Sequence, residues 1–186
     1  ATVAGSLIVK DKGKFFNRFL AANPDGVCCV YDKRHLFRMA NEHEVYAAGT
    51  ELRTFVIGDW TIRPFVCYDL RFPVWLRNPP EAYDLALYVA NWPQRRVQHW
   101  SALLKARAIE NQSYVVGVNR VGLDGNDIAY NGQSVVLDPS GEELVKLGET
   151  ECATTVSLSR DSFQEYRQNF PAWMDADAFE IRSERE

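Results

Sequence analysis

The chain has 186 residues, 46% of them hydrophobic and 25% charged, with a formal net charge of −4 and a pI near 5.5. This is the composition of an ordinary globular chain, long enough for one good core, so a single domain over residues 1–186 is expected, with a charged tail from about 171. Lysines and arginines are scattered, and no apolar run approaches a bilayer span, which argues against nucleic-acid, anionic-membrane and membrane-spanning roles.

Taken in chain order, Gly5 to Val9, Phe15 to Ala21 and Val27 to Tyr31 are β-rich runs. They are separated by the turn formers Lys10-Asp-Lys-Gly13 and Asn23-Pro-Asp-Gly26, so they read as a meander. A polar loop containing Glu42 and Glu44 follows. Leu52 to Ile57 and Thr61 to Cys67 then form a hairpin around Gly58-Asp59, and Arg71 to Arg77 reads as a short helix stopped by Pro79-Pro80. Leu85 to Ala90 is a continuous apolar strand. Val97, Trp100, Leu104 and Ala108 recur at helical spacing, which predicts a helix over Gln94 to Gln112, and Tyr114 to Val118 is a further buried strand. Ser134 to Leu137 and Glu143 to Leu147 pair around Asp138-Pro-Ser-Gly141, Ala153 to Leu158 is expected as a strand, and Arg160 to Asn169 as a helix. Strands outnumber helices, yet two of the strands are apolar on both faces, so they must be covered by a second sheet or by helices.

The chemistry gathers on Thr61-Ile-Arg-Pro-Phe-Val-Cys67-Tyr-Asp-Leu-Arg-Phe-Pro73, where an apolar strand ends on a cysteine and turns at once into polar, helix-starting residues. A strand-to-helix corner exposes a nucleophile and turns backbone N–H groups toward a developing oxyanion, as in a nucleophile elbow. Cys67 is therefore the candidate nucleophile, although a strand-end cysteine is also an ordinary core residue. Cys28 and Cys29 are adjacent and no C-x-x-C pair occurs, so the four cysteines suggest neither a disulfide framework nor a zinc site and fit a reducing cytoplasm. A thiol is mostly protonated at neutral pH and needs a base or cation nearby. Lys33, Glu42, Glu44, His35, His43 and His99 are all possible, and spacing alone does not choose among them.

An ordered set of motifs does choose. Tyr31-Asp-Lys-Arg-His-Leu-Phe37, Val66-Cys-Tyr-Asp-Leu-Arg-Phe-Pro73, Ala90-Asn-Trp-Pro93, Ala106-Arg-Ala-Ile-Glu-Asn111 and Gly117-Val-Asn-Arg-Val-Gly122 together resemble the nitrilase, or carbon–nitrogen hydrolase, superfamily. The stretch His35-Leu-Phe-Arg-Met-Ala-Asn-Glu-His-Glu44 is most similar to the bacterial ω-amidase branch. The resemblance implies an α/β/β/α sandwich, two mixed sheets face to face with helices outside. It also implies a Glu–Lys–Cys site with no metal or organic cofactor, a small amide bearing a carboxylate as substrate, and a homodimer or larger assembly. By position it makes Cys67 the nucleophile, Lys33 the ammonium that stabilises thiolate and oxyanion, and the Tyr68 backbone N–H a second oxyanion donor. Glu42, with Glu44 as the runner-up, becomes the accessory carboxylate. Arg71, Asn91 and Trp92 would line the pocket, with Arg71 a candidate for holding a substrate carboxylate.

The same resemblance puts the family's general-base glutamate ahead of anything matching Ala1 onward, so the chain is expected to start inside the family's fold. Two rival readings follow. One is a non-catalytic dimeric scaffold or inactive fragment; the other is an unrelated cysteine hydrolase using Asp69 or Asp32 as base, which would require more helix than this pattern offers.

Overall fold

A computed structural model describes residues 1–79 and 82–182. The chain opens with strands β1 (Val3–Asp11), β2 (Lys14–Asn23) and β3 (Gly26–Asp32), an antiparallel sheet in the order β1-β2-β3. Its first turn places Lys12 at φ 47° and Gly13 at φ 79°, the left-handed pair that a tight hairpin between right-twisted strands requires. The polar loop expected after β3 instead contains a short helix α1 (Glu42–Val45), entered through Asn41 in the left-handed region.

The larger sheet has six strands in the order β11-β10-β7-β6-β5-β4. Strands β4 (Phe55–Ile57), β5 (Trp60–Val66), β6 (Leu85–Ala90) and β7 (Tyr114–Asn119) come first. After them lie β8 (Val121–Leu123) and β9 (Ala129–Asn131), a separate two-stranded ribbon, then β10 (Val135–Leu137) and β11 (Glu143–Lys146). β5, β6 and β7 run parallel and the outer strands antiparallel, so this sheet is mixed, whereas the three-stranded one is antiparallel throughout.

Several expected boundaries move. β4 is shorter than Leu52 to Ile57, because only Phe55 to Ile57 find partners on β5. The single helix over Arg71 to Arg77 divides into a 3-10 turn (Cys67–Arg71) and α2 (Pro73–Leu76). Phe72, preceding proline, is forced out of the helical region to φ −113°, ψ 85°. α2 ends at Leu76, and the expected proline stop at Pro80 lies outside the described residues. The helix over Gln94 to Gln112 becomes a 3-10 turn (Gln94–Arg96) followed by α3 (Val97–Asn111). Ala153 to Leu158 is not a strand: it pairs with no ladder among the described residues, and its alternation is used instead to lay Leu158 against the core. α4 (Arg160–Asn169) appears with the expected bounds, capped by the Ser159 hydroxyl accepting from Ser162 N–H.

Helix α3 covers one face of the six-stranded sheet, through Trp100, Leu104 and Ala108. Phe65, Tyr88 and Gly117 share that face by register. A Cβ on Gly117 would stand 2.5 Å from Leu104 Cδ1 and 2.9 Å from the Trp100 ring, so only glycine lets the helix sit this close. On the opposite face the small sheet closes over β4 and β5, with Phe19 against Phe55 at 6.2 Å between ring centres, and Phe163 of α4 stacks on Tyr114 at 6.0 Å. The outer face of the small sheet carries no helix among the described residues. No helix there is long and apolar enough to cross a membrane.

Candidate active site

Four strand ends converge on one cavity of about 770 Å³. Cys67 follows β5, Asn91 and Trp92 follow β6, Arg120 follows β7 and Lys33 follows β3; all of these line it, together with Glu42, Tyr68 and Arg71. Three of the four are carboxyl ends of adjacent parallel strands, the place where open α/β sheets characteristically hold ligands.

At the first corner the chain leaves β5 and Cys67 adopts φ 46°, a left-handed conformation that a residue with a side chain seldom takes. This is the elbow expected from the sequence: the backbone reverses at the sulfur-bearing residue and presents Sγ to the cavity, 3.8 Å from the Asn91 carbonyl. Burial pushes the Cys67 thiol pKa up; the Lys33 charge draws it down, and Glu42 opposes Lys33.

What holds the elbow is Asp69, completely buried two residues on. Its Oδ2 accepts from the Tyr31 hydroxyl at 2.7 Å and from Val66 N–H at 3.1 Å, and its Oδ1 accepts from His35 N–H at 2.9 Å with His35 Nδ1 at 2.8 Å. One carboxylate thus ties the residue before Cys67 to the loop that carries Lys33. Asp69→Ala would leave these buried donors without an acceptor and is expected to cost about 3 kcal/mol of stability. A urea midpoint shift worth less than about 1 kcal/mol would show that the bridge does not hold the two loops.

Lys33 is 2% exposed, and a buried ammonium must be paired. Its Nζ donates to both oxygens of Glu42, at 2.9 and 2.6 Å, and Glu42 Oε2 also accepts from Phe37 N–H at 2.8 Å. Glu44 is exposed on the same helical turn and lies outside the cavity, so of the two candidate carboxylates it is Glu42 that meets the lysine. The left-handed Asn41 starts the turn that aims Glu42 inward.

The remaining expected residues divide between cavity and core. Arg71 stacks its guanidinium on Trp92 at 4.9 Å and donates to His99 Nδ1 at 2.9 Å. Trp92 is both a lining residue and a packing residue: it lies 5.6 Å from the Trp100 ring, and its indole N–H donates to the Arg96 carbonyl. Its backbone is fixed by Asn119, whose Oδ1 accepts from Trp92 N–H at 2.7 Å and whose Nδ2 donates to the Trp92 and Gly132 carbonyls. None of His35, His43 or His99 lines the cavity, so no histidine pairs with Cys67. Asp32 is engaged by Arg18 at 2.7 Å and Asp69 by the loop bridge, which leaves neither free to act as the base of the rival hydrolase.

Sequence reasoning overlooked Asn119, Arg96 and Asp124. Asn119 closes an otherwise apolar strand, and a polar residue ending a buried run was the available signal; Arg96 and Asp124 look like surface charges until the fold brings them to the cavity.

Comparison with known proteins places this geometry. Residues 1–168 match the profile described as Carbon-nitrogen hydrolase. Omega-amidase YafV of Escherichia coli strain K12 is 52% identical over 97% of this chain and 71% of its own length. The 2-oxoglutaramate amidase of Bacillus subtilis strain 168 is 34% identical over 93% of this chain and 67% of its own. The crystal structure of XC1258 from Xanthomonas campestris, a CN-hydrolase superfamily protein with an arsenic adduct in its active site, superposes with a TM-score of 0.95 at 46% identity. It covers 97% of this chain and 71% of that one.

Proposed function

Because the chain belongs to the carbon–nitrogen hydrolase family, and so is a hydrolase acting on carbon–nitrogen bonds, we propose that it hydrolyses a small carboxylate-bearing amide to acid and ammonia, as an amidase of the ω-amidase type. The relatives named omega-amidase and 2-oxoglutaramate amidase support a 2-oxo acid ω-amide as the substrate class. The observation that carries the roles is the left-handed elbow at Cys67 sharing one cavity with the Lys33–Glu42 pair.

Cys67 attacks the amide carbon, forming an Sγ–C bond while the carbonyl oxygen takes negative charge. The Lys33 ammonium and the Tyr68 backbone N–H stabilise that oxyanion, and Glu42 positions the ammonium. The thiol proton leaves as sulfur attacks and returns to the departing nitrogen, so ammonia is released as the C–N bond breaks; water then cleaves the thioester to the acid and restores the thiol. Glu42 has both oxygens engaged and would have to give up Lys33 to take that proton, which is the part the family resemblance assigns to a further glutamate.

The reading extends to a single domain with a C-terminal tail from about residue 171, a cytoplasmic location and a homodimer. Four unpaired cysteines and the exposed Val3, Leu7 and Ile8 of β1 support the last two. The test is ammonia release from 2-oxoglutaramate, with rapid acid quenching to trap an acyl adduct on the Cys67 peptide by mass. No ammonia and no adduct would end the reading.

A further inference from the structure

One cavity residue that still lacks a role is Arg96. It closes the 3-10 turn Gln94–Arg96 at the start of α3, and its backbone is fixed there: Arg96 N–H donates to the Pro93 carbonyl at 2.9 Å, and its own carbonyl accepts from the Trp92 indole at 2.7 Å. The guanidinium lies over the Phe37 ring at 5.2 Å on the cavity wall.

The charge balance of that wall is lopsided. Five cations line it (Lys33, Arg71, Arg95, Arg96 and Arg120) against two carboxylates, Glu42 and Asp124, in a chain whose net charge is −4. Both carboxylates are committed: Glu42 to Lys33 and Phe37 N–H, Asp124 to the Asn126 and Ile128 N–H groups and the Tyr130 hydroxyl. Neither Arg71 nor Arg96 meets a carboxylate among the described residues. Burial lowers the Arg96 pKa, the Arg95 and Arg71 charges lower it further, and Cys67 and Tyr130 pull the other way. Nor does α3 offer an acidic residue in its first turn to neutralise its positive end. Crowded guanidinium groups repel one another, and a planar anion between them relieves the repulsion while accepting paired N–H donors.

We propose that Arg96, with Arg71 beside it, clamps the carboxylate of the amide substrate, so that Arg96 sets the enzyme's preference for acids over neutral amides. This deepens the amidase reading and rests on it for the substrate.

Two measurements on the full chain test it. The first compares succinamate with butyramide, which share the amide and chain length and differ in the terminal carboxylate. In Arg96→Gln the ratio of kcat/KM for succinamate to that for butyramide is expected to fall at least tenfold, about the worth of one charged hydrogen bond, and Arg96→Lys should recover most of it. A proportional loss on both amides, as from a damaged fold, would overturn the clamp.

The second needs no turnover. The rates at which iodoacetate and iodoacetamide alkylate Cys67 are read by peptide mass, with exposed Cys152 as internal reference. The iodoacetate-to-iodoacetamide ratio at Cys67 should exceed that at Cys152 and drop at least about threefold in Arg96→Gln. Thiolate content cancels from this ratio, so an unchanged value would refute the clamp. A parent protein that releases ammonia from neither amide while showing the ratio effect would overturn the amidase reading and leave the anion site standing.

Discussion

Cys67→Ala is expected to reduce ammonia release at least about 1,000-fold, because it removes the one thiol that lines the cavity and with it the sulfur that forms the covalent intermediate. The fold should survive. Alanine bears the same left-handed strain as cysteine at φ 46°, and the corner is held by Asp69 through Val66 N–H and the His35 loop, not by the sulfur. Substituting Cys28 or Cys152, both exposed and outside the cavity, should leave turnover within about twofold, since surface changes away from a site are usually silent. Ammonia release at near-parent rates by Cys67→Ala would refute the nucleophile assignment. An equal loss from all three substitutions would point to instability rather than chemistry.

How far the sequence could be read follows from the range of the forces involved. The meander was legible because its determinants are local: Lys12-Gly13 and Pro24-Asp25-Gly26 fix their turns within four residues, and the alternation between them fixes the register. The elbow was legible for the same reason, an apolar run broken at Cys67. Glu42 was different. Nothing within the stretch Asn41 to Val45 distinguishes it from Glu44; the choice is made by Asn41 turning left-handed and by a lysine nine positions earlier, so only the family resemblance could favour it. Ala153 to Leu158 misled because its alternation is real but is satisfied against a core rather than along a ladder. Arg96 was illegible in principle: an arginine at a helix start is an ordinary solvated residue, and its significance comes from Cys67 and Arg71, which the corner after β5 brings to the same cavity as the turn after β6 that carries Arg96.

The second large effect is expected at Lys33. In Lys33→Ala the oxyanion loses a charged donor held at a buried position, where one such donor is typically worth about 3 to 4 kcal/mol, so kcat/KM should fall by roughly 10²–10³. Loss of the lysine also strands Glu42, which would keep only Phe37 N–H as a partner, and that structural damage must be separated from lost catalysis. The double substitution Lys33→Met with Glu42→Gln removes both charges together. It should regain stability by urea unfolding without regaining activity, whereas a positioning-only lysine would let activity recover with the fold. Alkylation of Cys67 supplies a further sign. The burial that raises the thiol pKa remains, and the Lys33 charge that lowers it is gone, so the rate-versus-pH curve should move to higher pH in Lys33→Ala and the rate at pH 7 should drop. A curve that stays in place, or a loss of activity under about threefold, would mean that the ammonium acts on something other than this sulfur and the oxygen it creates.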